Sequence, residues 1–182
     1  MEREEDKAQS LQSEGLRLFQ EGLYDEAARR FNEAMEHFAE EGREIEVGEM
    51  LNNIGLIRRK QGRWEDALAS LEEAHRLFVR LNDASREAQT LGNIASIYAS
   101  TKRREEANKA WSEAVSIFQE TGERQKQADT MMALGLLLFK SGQRQEGLAT
   151  YRAGITMAEN PPFLQRLYQI LLAIQVRLFS FF

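Results

Sequence analysis

Few residues of this sequence are of the types and at the spacing that catalytic groups or metal ligands require. The only histidines, His37 and His75, have no carboxylate or cysteine near them at the spacing of metal ligands. The chain has no cysteine, which excludes a thiol nucleophile, a thiolate metal site and a disulfide framework. Acidic residues are abundant, but none forms an isolated pair within an apolar segment, where a catalytic carboxylate would be tuned. We therefore expect no enzyme activity, no catalytic residue, no metal site and no cofactor.

Composition narrows the class of protein further. The 182 residues are 42% hydrophobic and 29% charged, which is typical of a folded chain and not of a disordered one. The net charge of −5 argues against a dedicated nucleic-acid binder, which needs basic residues to neutralise phosphates. The first ten residues include no apolar run, so we expect no secretory signal. Together with the missing cysteine, this favours a cytoplasmic protein.

The strongest pattern is an internal repeat with a step of 40 residues. Small residues recur at this step, and a leucine or methionine precedes each of them by four residues. A second small residue and a bulky one follow in the same register. The small residues are Gly15, Gly55, Ala95 and Gly135; the later pairs are Ala27 with Phe31, Ala67 with Leu71, Ala107 with Trp111, and Gly147 with Tyr151. We interpret every glycine as part of this repeat, so no phosphate-binding loop is expected.

Each copy contains two stretches with helical spacing. In the second copy Leu51, Ile54 and Ile57 mark the first stretch, and Ala67 and Leu71 begin the second. Gly62 lies between the two stretches and suits the left-handed residue that ends a helix. Each copy is therefore predicted to be a pair of antiparallel helices.

Charge and glycine content vary between the copies. Two basic clusters, residues 58–60 and 102–104, are interpreted as caps at the C-terminal ends of first helices rather than as a nucleic-acid patch. The third copy has Lys102 where the others have the turn glycine. The fourth has Gly147 and Gly154 where earlier copies have alanine, and we interpret it as a looser terminal copy.

These columns resemble the tetratricopeptide repeat family. The likeness is carried by residues 51–55 (LNNIG), residues 62–67 (GRWEDA), Leu71 and Ala74. The family unit is about 34 residues, and the step of 40 resembles its longer variant. The resemblance implies an all-α, right-handed superhelical solenoid of antiparallel helix pairs, with four repeats followed by a C-terminal helix. The expected repeats cover about 8–43, 44–83, 84–123 and 124–160 within a domain of residues 1–160, and the final helix covers 161–182.

The resemblance also implies where a partner binds. Ligands of this family usually lie on the concave face lined by first helices, which implies a protein–protein interaction scaffold. The positions that the motif places on this face are Asn53, Leu56, Lys60, Gln89, Asn93, Ser96, Leu136 and Lys140.

Asn53 and Asn93 are the most informative of these positions. Asparagine is a poor helix former, yet it recurs at the step of 40, and its amide pairs well with an extended peptide backbone. The alternative is that each asparagine bonds a neighbouring helix or faces water.

We expect a non-catalytic protein-binding or peptide-binding scaffold. Leu56 and Leu136 make the expected groove rather apolar, which favours a partner with hydrophobic side chains. One alternative is a peptide-sensing regulatory module. Another is an assembly protein that self-associates through its apolar C-terminal helix.

The segment after Pro161 and Pro162 breaks the repeat. Between residues 163 and 182 one broad face of a helical wheel is apolar. This face caps the fourth repeat, forms a homodimer, or touches a membrane; two arginines and three glutamines disfavour membrane insertion. The capping or oligomerisation residues are Leu164, Leu167, Leu171, Ile174 and Leu178.

Overall fold

The computed structural model describes residues 2–158, and within these residues it contains α-helices and no β-strand. The helices are α1 (Glu2–Gln20), α2 (Tyr24–Glu40), α3 (Glu44–Lys60), α4 (Trp64–Arg80), α5 (Ala84–Ser100), α6 (Arg104–Glu120), α7 (Arg124–Lys140) and α8 (Arg144–Met157). The predicted all-α class and the predicted helix pairs are confirmed. The apolar residues Leu164, Leu167, Leu171, Ile174 and Leu178 lie outside the described residues.

The chain divides into two compact units, which are described separately. The first, Met1–Arg103, contains α1 to α5, and the second, Arg104–Phe182, contains α6 to α8. Within each unit successive helices pack on one another, and in the first unit α3 also contacts α5 directly. The short turns force successive helices of a unit to run antiparallel.

Each turn between helices uses the same backbone hydrogen bonds. After α3, the N–H of Gly62 donates to the Arg59 carbonyl at 3.1 Å, and the N–H of Arg63 donates to the Arg58 carbonyl at 2.9 Å. This is the Schellman arrangement, which requires a left-handed residue, and Gly62 has φ of +74°. Lys102 takes the same conformation after α5, with φ of +64°, although it carries a side chain. The substitution of lysine for glycine therefore leaves the turn geometry unchanged.

The alternation of small and bulky residues explains how the helices of the first unit approach each other. A Cβ atom added to Gly15 would lie 2.7 Å from Phe31 Cε1, and one added to Gly55 would lie 2.7 Å from Leu71 Cγ. Ala67, which follows Gly55 across the turn, is fully buried. The small residues leave room for the bulky ones, as the repeat predicted. This close packing buries the apolar side of the first helix in each pair, and the opposite side of that helix does not take part in the packing.

Glycine has a related role in the second unit. A Cβ atom on Gly147 would lie 2.5 Å from the backbone nitrogen of Phe139, and one on Gly135 would lie 2.6 Å from the backbone nitrogen of Tyr151. Here the backbones of α7 and α8 are themselves in contact. The interpretation of the fourth copy as looser finds no support in this packing, because its extra glycines bring the two helices closer together.

The two basic clusters differ in position. Arg58, Arg59 and Lys60 occupy the last turn of α3, where they complement the helix dipole as predicted. The prediction was wrong for residues 102–104, since Lys102 and Arg103 lie in the turn and Arg104 begins α6. The helix boundaries follow the step of 40, so this cluster falls just beyond the end of α5.

Candidate functional site

The predicted binding positions of the second copy lie along one side of α3. Asn53, Leu56 and Lys60 are spaced by three and four residues, which places them on one helical face. The opposite face carries the buried Leu51, Ile54 and Gly55. Asn53 and Leu56 are half-buried, and Lys60 is exposed. Burial of the opposite face thus orients these three side chains away from the core of the first unit.

On α5 the corresponding polar side chains are turned back onto their own helix. The Nε2 of Gln89 donates to the Ser85 carbonyl at 3.0 Å, and the hydroxyl of Ser96 donates to the Gly92 carbonyl at 2.9 Å. Ser100 repeats this arrangement toward the Ser96 carbonyl at 2.8 Å. The donor groups of Gln89, Ser96 and Ser100 are therefore engaged within α5 itself, and this part of the helix surface carries no charge.

Two side-chain contacts join α3 to α5. Asn93 Nδ2 donates to Asn52 Oδ1 at 3.0 Å, and Arg86 Nε donates to Glu49 Oε1 at 2.8 Å. Arg86 Nη1 also donates to Asp83 Oδ2, three residues earlier in the chain, at 2.7 Å. Burial lowers the pKa of the Arg86 guanidinium, but the hydrogen bonds that it donates to Glu49 and Asp83 outweigh this effect, and the pKa is raised above its ordinary value. The two contacts hold the faces of α3 and α5 in a fixed relation. We define the α3–α5 face as Asn53, Leu56, Lys60, Gln89, Gly92, Asn93 and Ser96.

The two asparagines have different surroundings. Asn93 bonds the neighbouring helix, which was the alternative to a binding role. Asn53 forms no side-chain hydrogen bond with any described residue, although it is half-buried. An asparagine amide offers two N–H donors and one acceptor oxygen. Asn53 therefore keeps its full hydrogen-bonding capacity, whereas Asn93 has committed one donor.

Charge is distributed unevenly along the α3–α5 face. At the N-terminal end of α3, Glu49 is neutralised by Arg86. At the other end, Arg59 and Lys60 form no ion pair with any described residue. The C-terminal end of α3 therefore presents positive charge.

Leu136 and Lys140 lie on α7 of the second unit. Leu136 is 48% exposed, and Phe139, three residues later, is 42% exposed. Lys140 is also exposed. The second unit thus exposes two apolar side chains, Leu136 and Phe139, next to the positively charged Lys140 on α7.

The histidines stand apart from these faces. His37 Nδ1 lies 3.6 Å from Glu40 Oε2, and His75 Nε2 lies 4.0 Å from Glu87 Oε1. Within residues 2–158, no group of three or more histidine, aspartate or glutamate side chains is arranged to hold a metal ion. No helix among these residues is both long and apolar enough to cross a lipid bilayer.

An open cleft of about 610 Å³ lies elsewhere in the first unit, between the ends of α2, α3 and α4. Val47, Leu51 and Leu77 form part of its wall. Glu44 and Arg80 also line it, and they form an ion pair at 2.8 Å. The charged groups of this cleft are thus partly satisfied within the protein.

Sequence reasoning missed three residues of the α3–α5 face or its support. Asn52 adjoins the predicted Asn53 and was not recognised as the partner of Asn93. Arg86 lies outside the small and bulky columns by which the repeat was recognised. Gly92 was assumed to belong to the repeat, yet a Cβ atom there would meet no atom within 4 Å, so neither packing nor a turn explains it. Its position, 40 residues after Asn52 and outside the small-residue columns, was the available signal.

Comparison with known proteins agrees with this architecture. Residues 46–110 and 86–160 match the model of a family described as tetratricopeptide repeat. No curated protein is similar enough in sequence to be recognised as a relative. The chain is similar to the crystal structure of BtubC (BKLC) from P. vanneervenii, with a TM-score of 0.75 and 22% identity, over 85% of this chain and 67% of that one.

Two longer proteins have a similar fold. The apo form of RapI gives a TM-score of 0.78 at 18% identity, over 86% of this chain and 44% of RapI. Aspartyl phosphate phosphatase F from Bacillus subtilis gives 0.80 at 16% identity, over 84% of this chain and 40% of the phosphatase. The chain thus spans less than half the length of these two proteins, and at such identities the likeness concerns the fold alone.

Proposed function

The chain belongs to the tetratricopeptide repeat family, and on this basis we propose that it is a non-catalytic scaffold that binds a peptide segment of another protein. The binding surface is the α3–α5 face of the first unit. In this proposal each helix pair is one repeat, over about 8–43, 44–83, 84–123 and 124–160. The protein works in the cytoplasm, which suits a chain without cysteine.

One observation carries the proposal: Asn53 is half-buried on an ordered helix and has no hydrogen-bond partner among the described residues. The polar atoms of the Asn53 amide are not among the buried unpaired atoms of the described residues, so the amide is accessible to a partner. A peptide backbone supplies both a carbonyl and an N–H for it.

The neighbours of Asn53 indicate the chemistry of the partner. Leu56, half-buried one turn away, offers an apolar contact, so the bound segment carries a hydrophobic side chain. Arg59 and Lys60 lie beyond it with no ion pair to a described residue, so the segment carries an acidic group at that end. The partner is thus an extended peptide with an apolar residue followed by an acidic one.

The experiment begins with a random library of short linear peptides displayed on phage and selected on the full chain. An enriched peptide is then synthesised, and its affinity is measured for the wild type and for variants. We expect Asn53→Ala and Lys60→Glu to weaken binding about tenfold or more. Asn32→Ala and Lys109→Glu, on exposed positions of α2 and α6, serve as matched controls. Equal affinity for all five proteins, or failure to enrich any peptide, would contradict the proposal.

A second candidate function is a regulatory module within a larger assembly. It is favoured by the likeness to RapI and to aspartyl phosphate phosphatase F, of which this chain matches 44% and 40% of the length. A regulatory module changes shape when its peptide binds, whereas a scaffold does not. Small-angle scattering with and without the selected peptide separates the two.

A further inference from the structure

Gly92 is an anomalous residue in the first unit. It lies in the middle of α5, far from either end of the helix, and its φ angle is not in the left-handed region. Glycine in a helix interior costs stability relative to alanine, because the unfolded chain gains freedom and no side chain covers the backbone. Glycine at this position therefore lowers the stability of α5 unless another feature of the fold requires it.

The other glycines within α-helices have a packing reason. A Cβ atom on Gly15, Gly48 or Gly55 would lie 2.7 Å from a side-chain atom of the facing helix. A Cβ atom on Gly92 would have open space around it. Nothing in the described part of the chain therefore requires position 92 to lack a side chain.

Because Gly92 has no side chain, the backbone of α5 is uncovered at this position. In the preceding copy the equivalent residue is Asn52, which uses its side chain to accept a hydrogen bond from Asn93. Gly92 makes no such contact, and its half-buried backbone is flanked by Gln89 and Ser96. Both flanking side chains are bonded back to α5, toward the Ser85 and Gly92 carbonyls. The helix backbone is thus accessible at Gly92, beside the amide of Asn93.

We propose that Gly92 is the point where the main chain of the bound peptide crosses α5, in contact with the glycine Cα. This inference rests on the proposed function and deepens it, because it specifies an extended backbone as the element recognised at α5. With only hydrogen at the Cα, two backbones approach more closely than any side chain permits. A peptide held at this depth also reaches the remaining N–H and the acceptor oxygen of Asn93, and on α3 the unpaired amide of Asn53.

The test compares the effect of substitutions at Gly92 on thermal stability with their effect on peptide affinity, because a binding role and a purely structural role predict different combinations of the two. Gly92→Ala adds a methyl group in open space on a helix, so we expect the thermal midpoint to rise by about 1–4 °C. The same methyl group separates the two backbones, so we expect affinity for the selected synthetic peptide to fall roughly tenfold. Gly92→Leu should weaken binding further. Ala69→Leu, on the exposed surface of α4, adds similar bulk away from the face and should leave affinity unchanged.

Failure of the inference about Gly92 can be distinguished from failure of the proposed scaffold function by comparing the Gly92 variants with Asn53→Ala. If Asn53→Ala weakens binding while Gly92→Ala and Gly92→Leu bind as the wild type does, the inference is overturned and the scaffold proposal stands. If neither set changes affinity, the peptide lies elsewhere and both fail. A lowered thermal midpoint for Gly92→Ala would show that packing explains the glycine, and it would overturn the inference as well.

Discussion

Asn93 on α5 and Asn52 on α3 form a side-chain hydrogen bond of 3.0 Å, from Nδ2 to Oδ1. Both residues are half-buried, and they lie 41 positions apart in the sequence. The bond joins first helices of successive copies. It therefore stabilises the relation between two helix pairs, while the neighbouring Asn53 remains available to a partner.

This difference predicts that the asparagines respond differently to truncation. Asn93→Ala and Asn52→Ala should each lower the free energy of unfolding by about 1 kcal/mol, the usual contribution of one hydrogen bond. Asn53→Ala should change it by less than about 0.5 kcal/mol. Urea denaturation of the three single variants and of the Asn52/Asn93 double variant measures this. If the two losses simply added in the double variant, the bond would not be the source of the effect.

Replacing the small residue at position 67 with a bulky one should destabilise the fold. Ala67 is fully buried and packs against Leu71, Ile94 and Ile97. Ala67→Leu forces extra carbon atoms into this cluster and should cost about 1–3 kcal/mol of stability. Ala69→Leu, two residues along the same helix but exposed, is the control and should be nearly neutral. Thermal melting compares them, and an unchanged midpoint for Ala67→Leu would mean that the predicted repeat register is wrong.

A substitution in the turn after α5 should increase the stability of the protein. Lys102 has φ of +64°, where a residue with a Cβ atom is strained and glycine is not. We expect Lys102→Gly to raise the free energy of unfolding by up to about 1 kcal/mol. The reverse change, Gly62→Lys in the corresponding turn after α3, should lower it by a similar amount. Chemical denaturation of both variants tests the pair, and a loss of stability in Lys102→Gly would show that the lysine side chain has a compensating role.

The apolar segment after Pro162 should cover a surface of this chain. Phe139 and Leu148 of the second unit are 42% and 43% exposed, and the end of a helix-pair stack needs a cover. We propose that residues 163–182 act as a cap, so a chain ending at Asn160 should melt at a lower temperature while both chains sediment as monomers. A dimer formed only by the full chain would instead assign the segment to self-association. Co-sedimentation of the full chain alone with lipid vesicles would assign it to a membrane surface.

Much of the fold follows from the sequence. The step of 40 residues, the helical spacing within each copy and the turn glycines determine the helix pairs and their boundaries, because each depends on residues close together in the chain. The packing of Gly15 on Phe31 and of Gly55 on Leu71 was predictable for the same reason. The absence of cysteine also determined, without any structure, that no thiol chemistry is available.

Only the tertiary structure distinguished Asn53 from Asn93, which are equivalent members of one column in the sequence. The sequence places Gly92 outside the small-residue columns, but only the structure shows that no packing contact explains it. Their roles depend on contacts between α3 and α5, which are distant in the chain and whose atoms meet only after the helix pairs have packed. A hydrogen bond of 3.0 Å between two side chains, or open space beside a glycine Cα, is decided by that packing and not by the spacing of residues in the sequence.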